Sequence, residues 1–420
     1  MKTHALLLIA TLLSLTGCGG SSTPINNATN LDHIYTYLET EIPEAQLDPA
    51  SCVNYSQACT VQQLPFIALS YPQTRREDIM ARVVVSHDWM GARFQALLTR
   101  LPTEVITLMG SITAIVIADN IRPSFYWTGS GAIYIDPADL WLTNEEKSTI
   151  LKSPDYRDDF GELLAYDFFH RFIKDGQYAY FYYPLDGAQE RDIEDIVVPM
   201  ASLLFHELAH ANDFMPQQLI SSLDLSQTTR SELNRLAPQR LNIELATSYP
   251  LTSQELFNHA AILYQGTEPT EQQQSDSAAY LGSLMQEEGA NHLYSYLNQA
   301  EDVAMLFQAS MLKKSFDVDM DSAFVIKPQG SDLSCADYLV GWGVRNRIAD
   351  TQTKPRAQFI SQRILPDSDF NNFFDNLESE QTFPALINWC NTSLSETRRT
   401  SFNNKGKVFR RGHQHGLLIR

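Results

Sequence analysis

The period of the hydrophobic positions changes along the chain. Ala5 to Leu15 is almost wholly apolar. It is shorter than the roughly 20 residues a membrane-spanning helix needs. Asn30 to about Pro72 reads as a partly helical lead-in. Leu101-Pro102-Thr103-Glu104 opens a helical stretch. Ile112 to Ala118 is β-branched and apolar, and predicts a strand. Ser124 to Trp127 and Ala132 to Ile135 flank the turn sequence Thr128-Gly129-Ser130-Gly131, and together predict a hairpin. Thr143-Asn144-Glu145-Glu146 has the form of a capping box and starts another helix. Tyr178 to Tyr183 is a strand candidate after an Asp175-Gly176 turn. From Pro199 onward the pattern is mostly helical. Pro199 suits a first helical turn, Pro216 ends that helix, and Thr252-Ser253-Gln254-Glu255 opens the next. The order of helix, strands and then many helices gives an α+β fold class with a mostly helical C-terminal part.

The ends change this picture. Met1-Lys2-Thr3-His4 and the apolar run have the form of a signal peptide over residues 1–17. Leu15-Thr16-Gly17-Cys18 resembles a lipobox, which implies lipidation of Cys18 and a protein anchored to a membrane rather than spanning it. Gly19 follows the cysteine, and the resemblance then implies the outer membrane of the cell envelope. Residues 18–45 are expected to form a lipidated tether, flexible over the Gly-, Ser-, Thr- and Asn-rich stretch to Asn30. Residues 46–395 remain for one large domain, and 396–420 for a basic tail.

The chain has 420 residues, with 31 Lys+Arg against 50 Asp+Glu and a net charge of −19. A surface this acidic excludes nucleic acid as a general partner. The tail after Glu396 is the exception, with seven basic residues from Arg398 to Arg420 and no acid. Its simplest reading is a solvated tail. His413 and His415 in that tail read as a surface pair. Gly341-Trp342-Gly343 lacks the spacing and the Lys-Ser/Thr of a phosphate loop.

Five cysteines occur. With Cys18 spent on lipid, an even number remains in an exported chain. Cys52 and Cys59 can close a small loop, and Cys335 and Cys390 can then pin the C-terminal region. Other pairings stay open, because sequence alone does not fix connectivity.

The chemistry centres on His206-Glu207-Leu208-Ala209-His210. On a helix, positions i and i+4 share a face, so His206 and His210 present two imidazoles to one metal ion. Glu207 is rotated by about 100°, which puts its carboxylate beside the metal. There it can act as general base on a bound water and return the proton to the leaving group. Asp213 lies on the same face. It either orients a ligand imidazole or is an acid at the helix end. Position 213 is not Gly and position 216 is not His, so no third histidine comes from this helix.

A catalytic zinc takes three protein ligands and keeps one position open. Glu301 is the best third candidate. It starts a segment in which Val303, Ala304, Leu306 and Phe307 form an apolar face, and packing does not demand an acid there. It can also serve only the helix N-terminus. Glu288, Glu287, Glu244 and Glu232 are the other candidates.

H-E-x-x-H-x-x-D followed by a later E-D-x-A-x-x-F helix resembles the gluzincin-type zinc metallopeptidases, including lethal-factor-like ones. The resemblance covers about residues 195 to 312. It implies a zincin-like fold, with a small twisted sheet backing the active-site helix, and one zinc per chain on His206, His210 and Glu301. It also implies a tyrosine seven residues before the glutamate that stabilises the oxyanion. That position is Tyr294, with Tyr296 as the alternate. The implied substrate is a peptide or protein. The alternative is a non-catalytic envelope lipoprotein of the same fold, used for binding or assembly. The gap between His210 and Glu301 is long and implies an inserted helical segment.

Overall fold

The computed structural model describes residues 30–38, 48–152, 157, 159–330, 333 and 337–392, and the backbone of 416–418. The signal segment, Cys18, His413 and His415 lie outside the described residues. Two sheets and a set of helices make up the fold. Among the described residues no helix is long and apolar enough to cross a membrane.

The first sheet uses β1 (Tyr35–Thr36), β2 (Val83–Val85), β3 (Ile115–Ile117), β4 (Phe125–Trp127) and β5 (Ala132–Ile135). Its centre, β2-β3-β5, is parallel, and β4 returns antiparallel to β5. The expected hairpin therefore forms. Gly131 sits in its turn at φ +72°, a left-handed conformation that a Cβ disfavours. The three central strands are buried throughout, as a parallel sheet covered on both faces requires. Val83, Val85, Ile115, Ile117, Ile133 and Ile135 face the helices. Val84, Val116, Ala132 and Tyr134 face the other way, onto the N-terminal segment.

That segment joins the domain earlier than expected. Leu31 and Ile34 are buried, and Tyr35–Thr36 pairs with β2. Part of the stretch assigned to the tether is thus sheet, because it covers apolar groups on the outer face. Cys52 and Cys59 form a disulfide in this cover. Cys390 is disulfide-bonded as well. Cys335, the partner expected for it, lies outside the described residues.

The second sheet is antiparallel, in the order β10-β9-β8-β6-β7. Its strands are β6 (Tyr166–Lys174), β7 (Gln177–Tyr178), β8 (Asp319–Ile326), β9 (Leu339–Arg345) and β10 (Gln381–Thr382). Three of these interrupt the helical C-terminal half. Their charged positions hide them from a hydrophobic pattern. Asp321 in β8 is buried between Arg171 (2.8 Å) and Arg345 (2.7 Å), so it reads as a surface residue while sitting inside. The strand expected over Tyr178 to Tyr183 shrinks to β7, and the long strand is β6 before the turn. A last strand, β11 (Gly416–Leu418), lies parallel to β4 on the free edge of the first sheet. Part of the expected basic tail is therefore paired backbone.

Between the sheets run two long helices, Ile193–Phe214 and Gln299–Phe316. The first begins six residues earlier than Pro199 suggested. Asp192 and Asp195 form a capping box at its start, and this fixes the N-terminus upstream of the proline. Val303, Ala304, Leu306 and Phe307 are fully buried. Phe307 meets Phe205 at 6.3 Å between ring centroids, and Gln308 donates to Ser202 at 2.7 Å. One continuous apolar core joins these helices to both sheets.

Candidate metal centre

The packing of the two long helices brings His206, His210 and Glu301 together. His206 and His210 are one helical turn apart, with ring centroids 4.8 Å apart. Glu301 stands in the first turn of the second helix. Asn298 caps that turn, its Oδ1 accepting from the Ala300 and Glu301 amides. Glu301 Oε2 lies 3.1 Å from His206 Nε2 and 3.3 Å from His210 Nε2. The two Nε2 atoms are 3.2 Å apart.

This near-equilateral triangle has the size of one face of a metal tetrahedron. A tetrahedral ion with bonds of about 2.0–2.1 Å holds its ligand atoms about 3.3 Å apart. Ring protons do not account for it equally well. Each Nε2 carries at most one proton, so a proton pointed at Glu301 leaves the nitrogen–nitrogen contact without a bond of its own. The donor set, two imidazoles and a carboxylate, suits a borderline divalent ion. The three residues form a group that can hold a metal ion.

All four polar residues of the cluster are buried: His206, Glu207 and His210 are 0 % exposed and Glu301 is 1 % exposed. Burial pushes the Glu301 carboxyl up, and His210 and His206 more than reverse this, holding it at about 2. Burial lowers the His210 pKa. Burial, reinforced by the Glu301 charge, holds Glu207 well above the usual carboxylate range. Among the described residues neither Glu207 oxygen has a hydrogen-bond partner within bonding distance. A buried carboxyl left so costs about 1–3 kcal/mol or more, which makes a structural role a poor account of it. The Tyr126 amide of β4 faces it and lowers its pKa slightly. Sequence reading gave Tyr126 no role, since a backbone group leaves no side-chain signal.

Tyr294 is buried and its ring is 6.3 Å from that of His206, centroid to centroid. Tyr296 instead packs on Phe257 and donates to Glu288 at 3.4 Å. Of the two tyrosines, Tyr294 is the one beside the cluster.

Asp213 does not orient an imidazole. It accepts from Asn242 through the backbone amide (2.9 Å) and the side-chain amide (2.5 Å), and His210 Nδ1 has no partner. The helix turns the carboxylate towards the start of the helix Leu241–Ser248, which needs an acceptor for its first amides. Nor is Asp213 a surface acid, since it is fully buried.

The other acids are committed elsewhere. Glu288 accepts from Thr252 at 2.7 Å, Glu244 pairs with Arg363, and Glu232 pairs with Arg235. Glu287 belongs to no metal-holding group among the described residues. A second group, Glu255, His259 and Asp276, does. Its histidine is already satisfied, by Tyr166 at Nδ1 (2.8 Å) and by Asp276 at Nε2 (3.0 Å).

Comparison with protein families, with curated proteins and with solved structures finds no match. The functional reading therefore stands on the cluster's own geometry.

Proposed function

We propose that this chain is a zinc-dependent hydrolase of gluzincin type, a peptidase acting in the cell envelope from a lipid anchor at Cys18. The observation that supports it is the triangle of His206 Nε2, His210 Nε2 and Glu301 Oε2, with edges of 3.1 to 3.3 Å. On this reading the fold is zincin-like, and the first sheet backs the His206–His210 helix.

His206, His210 and Glu301 would hold one zinc ion and leave its fourth position open. Bound there, zinc supplies Lewis-acid polarisation and makes water acidic enough to deliver hydroxide near neutral pH. Glu207 follows His206 directly and takes the water proton, then hands it to the leaving nitrogen. Tyr294, whose ring lies 6.3 Å from that of His206, donates to the oxygen that gains charge.

A broad peptide-library cleavage screen on the mature, zinc-loaded protein tests the activity. Cleavage abolished by Glu207→Gln supports the proposal. A second reading, a non-catalytic lipoprotein of the same fold, draws on the closure of the cluster to solvent. It predicts bound zinc and no turnover with any peptide.

A further inference from the structure

We propose that Glu255, His259 and Asp276 bind a second divalent cation, separate from the His206 cluster and in exchange with solvent. This does not depend on the hydrolase reading above.

The site is built within the segment between His210 and Glu301. Glu255 and His259 are one turn apart on the helix Gln254–Gln265, so both side chains leave one face. Asp276 stands in the break between the helices Glu271–Ser275 and Ala278–Glu287. One ligand atom from each of the three lies within 4.8 Å of the others. His259 and Asp276 are buried, and Glu255 is exposed. Two carboxylates and a neutral imidazole together match the charge of one divalent ion. Burial lowers the His259 pKa and so favours the neutral ring that a metal needs. The nitrogen sets this site apart from the all-oxygen cages of calcium and magnesium and suits manganese or zinc.

The surroundings fit a ligand histidine. Tyr166 Oη lies 2.8 Å from His259 Nδ1, and Gln272 donates to Asp276 Oδ1 at 2.9 Å. An oxygen at the second ring nitrogen and a hydrogen bond to the carboxylate hold metal ligands in orientation. With the site empty, the Tyr166 hydroxyl donates to Nδ1 and the Nε2–H donates to Asp276 Oδ2, 3.0 Å away. With an ion bound, the ring proton sits on Nδ1 and the Tyr166 oxygen accepts it, while the bare Nε2 faces the metal. The ring keeps a partner at each nitrogen in both states, and its proton count does not change. Ser253 caps the helix, so Glu255 is not needed to start it. The exposed Glu255 side opens the site to water. The ion is therefore lost when free metal is removed, and only the buried cluster keeps its zinc. Bound, the ion ties Gln254–Gln265 to the Asp276 turn. The same helix carries Tyr264, whose ring meets Tyr294 edge-on at 4.8 Å.

Manganese added to the zinc-loaded protein, after excess zinc is removed, tests the site. Electron paramagnetic resonance counts the bound ion, because manganese on a protein loses the sharp signal of the free ion. Manganese binds such ligands less tightly than zinc, so it leaves the first cluster occupied. The expected result is about one manganese per chain, no zinc released, and selective broadening of the His259 ring signals. Glu255→Gln, at an exposed position, and Asp276→Asn should each weaken manganese binding about 10-fold or more, with zinc content unchanged. Glu301→Ala, which empties the first cluster, should bind manganese as wild type does. No saturable manganese binding overturns the proposal. So does manganese that enters only by releasing zinc, binding that Glu255→Gln and Asp276→Asn leave unchanged, or binding that Glu301→Ala abolishes.

Discussion

Glu301 Oε2 lies 3.1 Å from His206 Nε2, although 95 residues of chain separate them. The contact depends on the two long helices packing side by side. Helix Gln299–Phe316 keeps its start without the carboxylate, because Asn298 caps it independently. Glu301→Ala should therefore fold and lose zinc affinity by more than the roughly 10–100-fold typical of changes that only support a ligand. Glu288→Ala and Glu244→Ala should keep it. Competition against a chelator of known affinity measures all three.

Glu207 adjoins the cluster, and the Tyr126 amide is the donor that faces it among the described residues. Glu207→Gln should keep the zinc and lower turnover about 10²–10⁴-fold, since the amide cannot accept the proton. Metal content and cleavage rate measured on the same sample check this. A variant as fast as wild type would remove the general-base role.

Asp213 links the metal-bearing helix to Leu241–Ser248. Burial raises its pKa to about 6, against the hydrogen bonds from Asn242. A folded-state value above the unfolded one means that the native state binds the proton more tightly. That contribution is complete below about pH 4 and is lost as the pH rises through about 6, a change of about 3 kcal/mol at most. The stability of wild type relative to Asp213→Asn should fall across that interval. Denaturant titrations of the chelated proteins from pH 4 to 7 read the difference directly.

Cys52–Cys59 pins the cover over the outer face of the first sheet. The mature protein should contain no free thiol, and non-reducing peptide mapping should return Cys52–Cys59 and Cys335–Cys390. Four free thiols would contradict this.

The parts of this molecule that follow local rules were legible in its sequence. The Thr128–Gly131 hairpin, the Thr143 capping box and the helix after Ser253 each carry their signal within a few residues. So does the His206–His210 pair, because a helix fixes the i, i+4 relation. Strands β6 and β8 were not legible. Arg171 and Asp321 neutralise each other across 150 residues, and neither looks like a core residue alone. Pro199 misled for a related reason, since the start of its helix is set by Asp192 and Asp195. The role read for Asp213 failed because a shared helix face says nothing about which neighbour, His210 or Asn242, lies within reach.

The central claim is that His206, His210 and Glu301 hold one metal ion. Metal analysis of the purified mature protein, reconstituted with zinc and freed of excess, tests it most directly. About one zinc per chain is expected in wild type, with far less in His206→Ala, His210→Ala and Glu301→Ala samples that remain folded. Wild-type protein that is folded and holds no zinc after reconstitution would contradict the account.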